Sequence, residues 1–164
     1  MFDILFYVAL LFGSFPILLL INRVSFNSTL KYPIDPFLCL IIVSNLYEFV
    51  GTTLLKLPSA YWFRLYMLLE FFALGYFYYH LIEKKYGYFF LIFLTTYLVL
   101  FSILIFNWDI TTSLKTNSYL AIFEIVAVYF FSILWLKNVF KNMNSNNFVQ
   151  TSDFYFVSGI VLYL

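Results

Sequence analysis

Charge is what this chain has least of. Asp, Glu, Lys and Arg make up 10% of its 164 residues, where a soluble domain of this size carries about 25% to coat itself with a polar shell. That scarcity excludes a water-coated globule. Lipid is what remains to cover a chain that is 64% hydrophobic, so membrane class follows before any single residue is read. The net charge is +1, and the nine Lys and Arg are spread along the chain without forming a basic stripe, which excludes a nucleic-acid partner.

Other absences narrow the chemistry. A single cysteine, Cys39, cannot make an internal disulfide and leaves the redox compartment open. The one histidine, His80, with a cysteine on another segment, falls short of the three or four converging ligands a metal needs. There is no HExxH, no glycine-rich phosphate loop and no GxSxG, which removes most enzyme classes. Neither catalytic activity nor a cofactor or metal is expected. Gly and Ala number five each, so close approach of helix backbones through small residues is largely unavailable. What the chain has instead is 23 Phe and 15 Tyr, which implies packing through interlocked aromatic rings at wider separation. Abundant Phe, Tyr, Asn, Lys and Ile also suggest an AT-rich bacterial genome, and with it a multi-pass protein of the bacterial inner membrane.

Crossing about 30 Å of hydrocarbon takes about 20 apolar residues in a helix. Five such runs are present, at roughly Phe2 to Ile21, Pro36 to Leu55, Tyr61 to Ile82, Tyr86 to Phe106 and Ser118 to Leu136. A sixth begins near Asp153 and reaches Leu164 after about 12 residues, about 18 Å of helix and well short of a span. The breaks carry helix-stopping or polar residues: Arg23, Lys31 and Pro33; Lys56 to Ser59; Glu83-Lys84-Lys85; Asn107 to Asn117; and the Asn-rich stretch from Asn138 to Ser152. The first run lacks a basic leader and a small-residue cleavage site and starts with Asp3, so it reads as a span and not as a signal peptide. With the N-terminus outside, cytoplasmic loops hold Arg23, Lys31, Lys84, Lys85, Lys137 and Lys141, leaving Lys56, Arg64 and Lys115 outside. That six-to-three division favours this orientation. The expected fold is therefore an all-α polytopic transmembrane bundle, one domain over residues 1–164, with five complete spans and the start of a sixth, incomplete at its C-terminus.

Three glutamates fall inside the runs: Glu48, Glu70 and Glu124. Each costs roughly 2.5–3.5 kcal/mol to insert, which makes an intramembrane carboxylate a candidate for function. In the N-out arrangement they lie about 12, 14 and 9 Å from the outer ends of their helices. Asn45 is one α-helical turn from Glu48, and Arg64 stands just above Glu70 in depth. One reading is an outward-facing polar pocket of Glu48, Glu70, Glu124, Asn45 and Arg64, on the second, third and fifth runs, that binds a small ligand or a proton. The other has Arg64 pairing with one carboxylate while the rest are protonated and hydrogen-bonded to Tyr or Asn, fixing helix register. His80 reads as an interfacial residue, Cys39 as a small hydrophobe, and Tyr76, Tyr78, Tyr79, Tyr86 and Tyr88 as an aromatic belt. Glu70-x-x-Ala73 and Glu124-x-x-Ala127 repeat one pattern, as an old duplication would.

The stretch Asn45-Leu-Tyr-Glu48, then Tyr66-Met-Leu-Leu-Glu70-Phe-Phe, Tyr78-Tyr79, Tyr119-x4-Glu124 and Asp153-Phe-Tyr-Phe-x-x-Gly159-Ile-x-x-Tyr163 resembles a family of polytopic bacterial membrane proteins. That family, of no established chemistry, is common in Bacteroidota and occurs beside or fused to sensor histidine kinases. The resemblance covers most of the chain and implies a sensory input domain of about seven spans, marking Glu48, Glu70, Glu124 and Gly159. The expected function is thus a membrane-embedded sensory or ligand-binding input module. The alternatives are a small proton-coupled transporter or a structural subunit of a membrane complex. Expected partners are the bilayer, a cytoplasmic histidine kinase or another membrane subunit, or further copies of the chain.

Overall fold

The computed structural model describes residues 32–106, 113–142 and 152–164. Every regular element among them is helical: α1 (Asp35–Leu46), a π-helical segment (Tyr47–Leu54), α2 (Ser59–Leu81), α3 (Gly87–Phe106), α4 (Ser113–Asn142) and α5 (Ser152–Tyr163). The run from Phe2 to Ile21 lies outside the described residues.

Three of these helices are long and apolar enough to cross a membrane: Asp35–Thr52, Gly87–Phe106 and Lys115–Lys141, with mean hydropathies of 1.2, 2.6 and 2.1. The five complete spans read from the runs are therefore three among the described residues. α2 has the length, at 23 residues. Its Arg64, Glu70 and His80 and its five tyrosines lower its hydropathy below the others. α5 has 12 residues, about 18 Å of helix.

Local chemistry explains most boundaries. Pro36 stands in the first turn of α1, where a missing amide hydrogen costs nothing. Asp35 folds back there to accept the Tyr32 backbone N–H at 2.8 Å. α2 ends in a Schellman motif: the Lys84 amide donates to the Tyr79 carbonyl at 3.1 Å and the Glu83 amide to the His80 carbonyl at 3.0 Å. Glu83 and Lys84, with φ of 54° and 62°, both take left-handed conformations here, as glycine more often does. α4 outruns its apolar segment at both ends, starting at Ser113 and continuing through Lys137 to Asn142. Residues read as loop on either side are thus partly helical, because hydropathy marks the depth of the hydrocarbon and not the end of the helix.

The chain divides into two compact units, Met1–Ala73 and Leu74–Leu164, with the boundary inside α2. In the first, α1 is tied to α2 by the Trp62 indole N–H, which donates to Ser44 Oγ at 3.1 Å. The Tyr47 ring stacks on Trp62 with centroids 4.6 Å apart.

The second unit is built on an aromatic seam. Phe90 stacks face to face on Phe131 at 4.0 Å, Phe93 meets Phe123, Phe130 and Phe131 at 5.2–5.8 Å, and Tyr97 reaches Phe123 at 6.0 Å. Partners on α4 fall in number as those on α3 rise, so the two helices run antiparallel. The ring-against-ring contacts supply the dispersion that small-residue stripes provide in other membrane bundles. The end of α2 joins the same unit through Tyr78, wholly buried, whose hydroxyl shares a 2.8 Å hydrogen bond with Ser132. α5 touches α4.

Candidate functional site

Polar side chains held inside an apolar helical chain mark where chemistry is affordable only for a reason. In the first unit, besides Asp35 at the start of α1, those are Arg64, at 5% exposure, and Glu70, at 6%. Both stand on α2, six residues apart, so they project from different sides of the helix. Glu70 shares a face with Tyr66, one turn earlier, and the Tyr66 hydroxyl donates to Glu70 Oε1 at 3.2 Å. That bond, from a neutral donor, is available to the carboxyl in either protonation state.

The other two candidates of this unit are less enclosed. Asn45 is half-buried near the end of α1, and Glu48 is exposed in the first turn of the π-helical segment. These two flank the point at which the α-helical turns end, at Leu46. The Thr52 hydroxyl donates to the Glu48 backbone carbonyl one turn earlier.

Glu48 therefore sits beside an ordered cluster, Ser44, Tyr47, Gly51 and Trp62, that spacing did not single out. Gly51 is buried, and a Cβ there would lie 3.1 Å from Cε2 of Tyr47. A larger residue there would press on the ring that lies flat against Trp62. Nothing in the sequence singles out this pair, since the chain has 3 Trp and 15 Tyr.

In the second unit Glu124, at 2% exposure, is among the most enclosed side chains. It lies on α4 one turn from Leu120 and from Val128, both buried. His80 is half-buried, its Nδ1 donating to the Tyr76 carbonyl at 3.0 Å, with the Tyr76 ring centroid 4.2 Å away. Cys39 is a half-buried free thiol. Among the described residues no group of three or more His, Cys, Asp and Glu side chains is placed to hold a metal ion.

A carboxyl enclosed by apolar groups has its charged form disfavoured by desolvation unless a cation or several donors compensate. The two enclosed glutamates, Glu70 and Glu124, stand in different units. Their side chains are where a change of charge would be felt most strongly by the packing. Compared with protein-family models, with curated proteins and with solved structures, the chain matches none. The helices apolar enough to span define it as a membrane protein by length and composition.

Proposed function

We propose that this chain is a membrane-embedded sensory module in which a proton or small ligand acts on buried carboxyl groups and shifts the balance between two helix packings. A cytoplasmic signalling partner, a histidine kinase in the resembled family, would read the shift. The observation that carries the reading is the enclosure of Arg64, Glu70 and Glu124 within long helices of an apolar chain. Groups costly to bury are kept where their charge state matters. A ligand moves such an equilibrium only by its differential affinity for the two packings, and a proton on a buried carboxyl has a large one.

The test is a pH titration of tryptophan fluorescence for the chain in nanodiscs. The unaltered protein is expected to show a cooperative transition that Glu70→Gln or Glu124→Gln abolishes or displaces. A flat response in all three would make the carboxyls structural. Proton flux in proteoliposomes, lost in the same variants, would instead make the chain a transporter.

The proposal places the chain in a bacterial inner membrane with five spans, the start of a sixth, and the N-terminus outside. α2 counts as a span because its 23 residues cover about 35 Å. A cysteine in place of Lys84 is then expected to resist a membrane-impermeant thiol reagent in intact cells. Ready labelling from outside would reverse the orientation.

A further inference from the structure

At one end of the second unit the chain gathers four lysines from two elements far apart in sequence. Lys84 and Lys85 form the tip of the turn between α2 and α3, while Lys137 and Lys141 stand one turn apart near the end of α4, and all four are exposed. The two elements meet directly, for Lys85 Nζ donates to Asn138 Oδ1 at 3.3 Å. Asn138 sits between Lys137 and Lys141 on the helix. Lys85 thereby brings its ammonium into the pair. One carboxylate lies in the group, Glu83, whose Oε2 is 3.0 Å from Lys85 Nζ. The positive end of α3 opens two residues after Lys85, and its first turn holds no acidic residue. Around this charge stand the exposed rings of Tyr88 and Phe140, the aromatic and apolar neighbours expected at a headgroup boundary.

We propose that this end of the unit is a binding site for the phosphate of an anionic phospholipid. Four ammonium groups against one carboxylate leave a local excess of three positive charges, gathered where two helices capable of spanning, α3 and α4, begin and end. Basic clusters in that position attract anionic headgroups. Backbone strain is sustained at the same place, since Glu83 and Lys84 both hold left-handed conformations. The inference is independent of the sensory reading, which concerns carboxyls within the helices.

The test uses the full chain purified in a mild non-ionic detergent. It is titrated with phosphatidylglycerol or with phosphatidylcholine, and bound lipids are counted by native mass spectrometry. Phosphatidylglycerol is expected to bind at least about tenfold more tightly, with about fivefold lost for each lysine replaced by glutamine. Glu83→Gln is expected to tighten binding severalfold, an effect opposite in sign that damage to the fold would not produce. Lys56→Gln, at an exposed turn of the first unit, serves as the control and should change nothing. Equal binding of the two lipids would overturn the proposal. So would insensitivity to the four lysines, or a Lys56→Gln effect as large as theirs. Displacement of the lipid by excess inorganic phosphate would assign the site to a soluble anion instead, and would overturn it as well.

Discussion

Phe131→Ala should cost the second unit about 3 kcal/mol of stability, within the range for truncating a buried phenylalanine. The ring is buried and touches Phe90 at 4.0 Å, Phe93 at 5.2 Å, Phe130 at 5.6 Å and Tyr78 at 6.1 Å. Helices already in lipid gain little from hiding apolar surface, so the loss comes from dispersion across the vacated volume. Each ring pair adds about 0.5–1.5 kcal/mol beyond area burial. Ile133→Ala, two residues away with 62% of its surface exposed, should stay within about 0.5 kcal/mol. Unfolding by sodium dodecyl sulfate in mixed micelles, followed by helical circular dichroism, measures both. Equal costs at the two positions would mean that the aromatic seam does not hold this unit together.

Glu124→Lys is the second large effect. The side chain is 2% exposed, and lysine brings greater length and an ammonium group to a fully enclosed site. The insertion penalty alone is roughly 2.5–3.5 kcal/mol, and overpacking adds about 1–3 kcal/mol. The expected result is little folded protein in the membrane fraction. Glu124→Gln, which has the shape of the protonated acid, should lie within about 1 kcal/mol of the parent, because a neutral isostere keeps most of the hydrogen bonding. If glutamine proved as damaging as lysine, Glu124 would have to be ionised and paired in the folded state, and the protonation reading of the site would fall with it.

The helices were legible because a hydrocarbon core forces long apolar runs, and α3, predicted from Tyr86 to Phe106, begins one residue later at Gly87. The turn at Glu83 to Lys85 was legible for the complementary reason, since three adjacent charges cannot sit in lipid. Pairing across helices was not. Nothing in the one-dimensional pattern says that Phe90 meets Phe131 or that Tyr78 meets Ser132, since Phe and Tyr occupy almost every face. The enclosure of Glu70 and Glu124 followed from their place inside apolar runs. The exposure of Glu48 did not, because its direction depends on a helical register that changes at Tyr47.

That change of register bears on how the chain tolerates length variation. An i to i+5 ring encloses one residue more than an i to i+4 ring, so the stretch from Tyr47 to Leu54 holds slack within a helix that otherwise has none. Dropping one residue there would let the segment relax to ordinary α geometry while α1 and α2 keep their own ladders intact. The same deletion at the middle of α3 or α4 would rotate half of the aromatic seam out of register by about 100°. Single-residue deletions recovered from a random library should therefore concentrate between positions 47 and 54, and substitutions of Gly51 should be scarce even there.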